Sequence, residues 1–174
     1  LMLLFYAQCA ALAAVLLGLA SIPRLKTAFS IVSGVAGLFC LFGLGRFWKR
    51  YRNAFRLAAA QFALSLAGNL LGGMGILSMA SSLCALLALY QEYTAHAEIT
   101  THPLSSKWHK LFNCQIGAIV FTGFLAPVAV TLGVLSGLPT EALATGGAHL
   151  IIAVSALIQV LYLCLLRRTA AAVQ

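Results

Sequence analysis

The stretch LAAAQFALSLAGNLLGGMGILSMASSLCALLALY, residues 57–90, decides how this chain is to be folded. It contains no Asp, Glu, Lys or Arg. A helix rises about 1.5 Å per residue, so a bilayer core about 30 Å thick takes about 20 residues to cross. The stretch is too long for one straight span and short for two. Near its middle lies GNLLGGMG, residues 68–75, whose glycines permit a tight reversal. Two short helices are therefore expected, over 57–72 and 75–92. The alternative is a re-entrant hairpin, which is allowed only where protein rather than lipid surrounds its turn.

The composition supports a lipid setting. Apolar residues make up 62% and charged residues 8% of the chain, and the mean hydropathy is +1.00. Soluble domains are about half apolar and about a quarter charged. This chain lacks the polar side chains to cover itself in water. The expected fold class is an all-α, polytopic membrane helix bundle with about six transmembrane helices. Residues 1–174 form a single integral membrane domain in this reading. The first span is expected over 3–22, stopped by Pro23, and the second over 27–44. The fifth is expected over 111–135 and the sixth over 148–166. The opening LMLLFYAQCAALAAVLLGLA is read as a retained span and not as a signal peptide. It has no basic residue ahead of it, and its apolar run is too long.

Loop charge sets the orientation. With the N-terminus in the cytoplasm, the cytoplasmic side carries Arg46, Lys49, Arg50, Arg52, Arg56, Lys107, Lys110, Arg167 and Arg168. The opposite side carries Arg24 and Lys26. This is a strong positive-inside bias, giving N-in and C-in in a bacterial inner or plasma membrane. It does not distinguish two true spans from a re-entrant hairpin, because both leave the segment's ends on one side. The net charge of +8 is accounted for by topology and contact with anionic lipid headgroups, so no nucleic-acid partner is expected. The five cysteines (Cys9, Cys40, Cys84, Cys114, Cys164) contain no C-x-x-C pair and are odd in number. No disulfide framework is expected.

RFWKRYRNAF, residues 46–55, places Phe47, Trp48, Tyr51 and Phe55 on one helical face. Cations fill much of the rest. A short helix lying in the headgroup region fits this pattern. Arg46, Trp48, Lys49, Arg50, Arg52 and Arg56, with Trp108 further on, are the expected contacts with lipid or with a membrane or cytoplasmic protein partner.

YQEYTAHAEITTHPLSSKWHK, residues 90–110, holds three of the four histidines and two of the three acids. His96, Glu98 and His102 are the candidate metal ligands, should the loop fold back on itself. No strong metal motif is present, and Pro103 breaks the segment. The adopted reading is a solvated loop. A new helix then begins at LSSKWHK, capped by Ser105 or Ser106, with Trp108 anchoring it at the interface.

No Asp, Glu, Lys or Arg lies at mid-span depth. Gln61, Ser65 and Asn69 recur every four residues as a polar stripe on the third span. Ser155 and Gln159 form a shorter stripe on the sixth, with His149 above them, and Gln8 lies on the first. Such amides must face protein or water, because an unsatisfied amide in hydrocarbon costs several kcal/mol. One reading is hydrogen bonding between helices. The other is a pocket for a neutral or zwitterionic small molecule lined by Gln61, Ser65, Asn69, His149 and Gln159. Ala10 with Ala14, and Gly68 with Gly72, have the four-residue spacing that lets helices pack closely.

Six spans, an N-in orientation, this length and the A-x-x-x-A of Ala10 and Ala14 resemble the substrate-binding subunit of an energy-coupling-factor vitamin transporter. The resemblance is architectural and implies that the first-span alanines meet a membrane coupling subunit and that ligand binds near the outer face. The leading functional expectation is thus a small-molecule binding or transport subunit rather than an enzyme. The alternatives are a cytoplasmic-face enzyme using His96, Glu98 and His102 with Cys84 or Cys114, and a non-catalytic assembly subunit. The sequence specifies no cofactor.

Overall fold

The computed structural model describes residues 1–19, 23–70, 75–137 and 139–173. They form helices α1 (Met2–Leu19), α2 (Pro23–Leu44), α3 (Lys49–Leu70), α4 (Gly75–Glu98), α5 (Leu104–Val120), α6 (Ala126–Leu135) and α7 (Thr140–Ala172). No strand occurs among the described residues. The expectation of an all-α fold is met. Two helical segments are long and apolar enough to cross a membrane, Gly75–Glu98 and Thr145–Ala172. The apolar parts of α1 and α2 (Met2–Leu17 and Ala28–Leu44) are shorter.

α5 and α6 are joined by a π-helical turn, Phe121–Leu125, so the expected run over 111–135 is one rod with an interruption. Pro127 accounts for it. With no amide hydrogen it cannot bond the carbonyl four residues back, and the ladder relaxes just before it. Thr122 Oγ1 turns back to the carbonyl of Ala118 at 2.8 Å. Gly137, at φ 82°, supplies the left-handed residue beyond the end of α6.

α3 and α4 make the most extensive helix pair, and α1 packs between α2 and α7. Ser81 Oγ donates to the carbonyl of Gln61 at 3.2 Å, and the Gly68 position faces Leu77. Tyr51 meets His96. Partner numbers fall along one helix as they rise along the other, so α3 and α4 are antiparallel. The expected reversal within 68–75 lies largely outside the described residues, Gly72 included.

Burial is concentrated at one end. Leu4, Tyr93, Ala97, Trp108, Leu111, Ile158, Tyr162, Leu165 and Leu166 form one core. Leu41, Tyr51, Ala54 and Ala95 form a second beside it. Leu1 and Leu44 pack against both. The start of α1, end of α2, start of α3, end of α4, start of α5 and end of α7 therefore converge. These are the element ends that carry the nine cations from Arg46 to Arg168. Away from this end the helices display large apolar side chains outward, among them Phe62, Ile76, Met79, Leu132 and Leu157.

The arginine-rich segment is not a separate interfacial helix. Lys49 begins α3, which continues without a break to Leu70. The cations occupy its first turns, and Tyr51 is fully buried. A turn at Gly45 makes this geometry. Gly45 N donates to Leu41 O at 2.8 Å. A Cβ at Gly45 would sit 2.9 Å from Arg52 Cα and 3.0 Å from Arg52 N. Backbone atoms cannot move aside as a flexible side chain can, so α2 and α3 meet here only through glycine. Gly45→Ala is expected to destabilise the fold by about 1–3 kcal/mol, as overpacking does. Thermal unfolding in detergent micelles measures it, with Gly43→Ala as control because a Cβ there meets nothing within 4 Å.

Candidate functional site

The expected solvated loop over 90–110 is corrected at its first half. α4 runs to Glu98 and carries His96 into the interior, where its exposure is 0%. Trp108, expected at the membrane interface, is also at 0%. The indole is held inside by a hydrogen bond from Nε1 to Thr169 Oγ1 of α7 at 2.9 Å. It stacks on the His96 ring with centroids 4.4 Å apart and planes 24° from parallel. α5 begins at Leu104 with Pro103 in the capping position and no side-chain cap, so Ser105 and Ser106 lie within the first turn. The Ser105 amide bonds to Thr101 O instead.

Around His96 the polar atoms form a directional chain. Tyr162 Oη donates to Glu92 Oε1, as a carboxylate only accepts. The Tyr162 oxygen is then free to accept from His96 Nε2, 3.1 Å away. His96 Nδ1 is left as an acceptor, and Tyr51 Oη donates to it at 2.6 Å. Every partner is consistent with one tautomer, protonated at Nε2. Tyr51 stands on the first turn of α3, ahead of the apolar run. Burial, and then the charge of Glu92, push its hydroxyl well above the ordinary phenol range, which keeps it a donor. Tyr93 packs edge-on against Trp108 at 5.5 Å and 88°. Four helices thus contribute to one polar knot, and no buried side-chain nitrogen or oxygen among the described residues lacks a partner.

Beside the knot is an open cleft of about 380 Å³ lined by Trp48, Lys49, Arg50, Asn53, Ala95, Glu98 and Ile99. Arg50 Nε donates to Glu98 Oε1 at 2.9 Å, and Arg50 Nη1 to Gln91 Oε1 at 3.3 Å. Both ions are partly exposed, at 39% and 52%. An ion pair so placed is worth at most about 1 kcal/mol and opens readily. The cleft offers two cations, one carboxylate, an amide and the Trp48 ring, which lies 5.9 Å from Tyr51. His96 does not line it.

The other candidate residues are dispersed. His96 faces the knot, Glu98 pairs with Arg50, and His102 is exposed. Among the described residues no three His, Cys, Asp or Glu are grouped so as to hold a metal. Of the polar stripe, Gln61 is half-buried and Ser65 exposed on α3, and the Asn69 side chain lies outside the description. His149 is exposed, with Nδ1 2.7 Å from Thr145 O on its own helix. Gln159 Nε2 donates to Gln8 Oε1 at 2.7 Å, joining α7 to α1. The α3 and α7 groups have different neighbours, and none of these five lines the cleft beside the knot. Arg46 lies over the Phe42 ring at 5.3 Å, while Arg52 and Arg56 are exposed. Ala14 is buried at 4% within this chain, on a helix that α2 and α7 flank.

Sequence reasoning passed over Tyr51, Glu92, Tyr93, Tyr162 and Thr169 as a set. The available signal was that the aromatic residues with polar tips all fall at span ends on the basic side. Comparison with protein families, with curated proteins and with solved structures gives no match for this chain.

Tyr51→Phe leaves His96 Nδ1 without its donor, and Tyr162→Phe removes both the hydroxyl beside Nε2 and the donor to Glu92, whose Oε1 is 3.7 Å from Nε2. Each is expected to lower stability by about 1–3 kcal/mol. Trp108→Ala is expected to cost about 3–5 kcal/mol through the lost stack and the void. Chemical denaturation in detergent measures all three, and an unchanged midpoint in either tyrosine variant would show its bond to His96 to be absent.

Proposed function

We propose that the chain is a multi-pass membrane protein of about six spans, with its basic end in the cytoplasm, and that it serves as a small-molecule-binding subunit. Its ligand is a small zwitterion that enters the cleft between Trp48, Arg50 and Glu98 from the cytoplasmic side. The observation that carries this reading is the cleft's lining of opposite charges beside an aromatic ring.

The membrane part rests on three supports. Large apolar side chains face outward along the helices. α4, at 24 residues, corresponds to about 36 Å of helix and is long and apolar enough to cross a bilayer core. The cations gather at the one end where the termini and two connections meet. The binding part rests on exchange of partners. A ligand carboxylate replaces Glu98 on Arg50, with Lys49 beside it. A ligand ammonium takes the Glu98 carboxylate, and its body lies along Trp48. The half-open Arg50–Glu98 pair is a poor competitor for such a ligand. Because the knot holds α3 against α4, the two walls are positioned before the ligand arrives, and little ordering is required on binding.

This site lies at the opposite end from the outer-face site that the architectural resemblance implies. Ala14, turned inward, is also not free to meet a coupling subunit. The reading is therefore of a binding subunit loaded from the cytoplasm.

The test is thermal unfolding of the detergent-purified protein against a panel of amino acids and choline compounds. A true ligand at about 100 times its Kd stabilises the wild type by about 2.7 kcal/mol. Arg50→Ala and Glu98→Gln are each expected to weaken that binding at least about tenfold, since each removes one arm of a charge-assisted pair. Absence of any zwitterion that stabilises the wild type and fails to stabilise both variants would exclude the site. In a cysteine-free background, new cysteines at Arg52 and Lys110 are expected to react with a membrane-impermeant maleimide from the cytoplasmic side alone.

A further inference from the structure

On the opposite side of the basic end, α5 and α7 enclose a groove of about 490 Å³ lined by Lys107, Lys110, Leu111 and Cys114 of α5 and Leu161, Cys164, Leu165 and Arg168 of α7. The helices run antiparallel, since the start of α5 meets the end of α7 at the Trp108–Thr169 bond and both line one groove from there. Each wall repeats at three- and four-residue spacing, so its members share one face. Antiparallel packing brings the cationic ends of both walls to the same mouth. Lys107, Lys110 and Arg168 ring that mouth. Leu111, Cys114, Leu161, Cys164 and Leu165 line the part below it. From Arg168 to Leu161 the groove descends about 10 Å along the helix.

Among the described residues the three cations make no ion pair. Glu92 accepts from Tyr162 and Glu98 from Arg50. All three cationic side chains are exposed. A cationic mouth over an apolar trough matches a molecule with an anionic head and a hydrocarbon tail.

We propose that this groove is a specific site for one anionic phospholipid of the surrounding leaflet. Its phosphate sits among Lys107, Lys110 and Arg168, and the first carbons of one acyl chain lie against Leu111, Leu161 and Leu165. The proposal rests on the membrane reading above and is independent of the zwitterion cleft. It differs from general attraction of the basic end to lipid, because it assigns the headgroup to three of nine cations. Arg52 and Arg56, though exposed, adjoin no part of this groove.

The experiment reconstitutes the full chain into nanodiscs of phosphatidylcholine containing a minor fraction of phosphatidylglycerol, and counts retained lipid by native mass spectrometry. Wild type is expected to retain one phosphatidylglycerol in preference to phosphatidylcholine. Each cation near a headgroup contributes about fivefold in affinity. The triple variant Lys107→Gln, Lys110→Gln, Arg168→Gln is therefore expected to lose on the order of a hundredfold. Arg52→Gln with Arg56→Gln is expected to retain the lipid. Leu161→Trp, which fills the trough and leaves every charge, is expected to lose it. Retention by both the triple variant and Leu161→Trp, or no headgroup preference in the wild type, overturns the proposal. Failure of the membrane reading shows differently, as a wild-type protein that stays monomeric in detergent-free buffer and does not enter nanodiscs.

Discussion

An imidazole sealed from water must find a partner for each nitrogen, and at His96 this constraint organises the whole basic end. Tyr51 of α3 and Tyr162 of α7 supply the two partners, and Trp108 of α5 covers the ring face. Remove any of these and a buried polar atom or an apolar void remains, each costing more than the bond itself contributes. The knot is thus strict about geometry while adding modestly to net stability. Its role is to select one arrangement of α3, α4, α5 and α7 from the many that apolar surfaces alone would tolerate.

That selection has consequences on both flanks. On the α3–α4 side it fixes the separation of Arg50 from Glu98, and so the width of the cleft. On the α5–α7 side the Trp108–Thr169 bond fixes the register that brings Lys107, Lys110 and Arg168 to one mouth. The two proposed binding surfaces, one for a zwitterion and one for a lipid headgroup, have separate linings with no residue in common. Neither requires His96 to meet a ligand.

Much of the architecture was legible from hydropathy. The second helix was expected over 27–44 and spans Pro23–Leu44. The division of 57–90 into two helices was legible from its glycines and its lack of charge. The end of α4 was not. Residues 93–98 read as loop because His96 and Glu98 are polar, and polarity in one segment says nothing of partners elsewhere. His96 is drawn inside by tyrosines 45 and 66 residues away, and Trp108 by a threonine 61 residues away. Local patterns register periodicity and cannot register such pairings. The amide stripes were recognised as needing partners, and Gln159 has one in Gln8. Their assembly into one pocket was a matter of tertiary geometry that spacing alone does not specify.

The gradient of burial along the bundle gives the molecule a fulcrum. α4 is 24 residues long, a lever of about 36 Å pivoted at the His96 end. A tilt of about ten degrees at that pivot swings the opposite tip by about 6 Å. A small rigid tilt at the basic end is therefore a larger displacement at the far end of the helix.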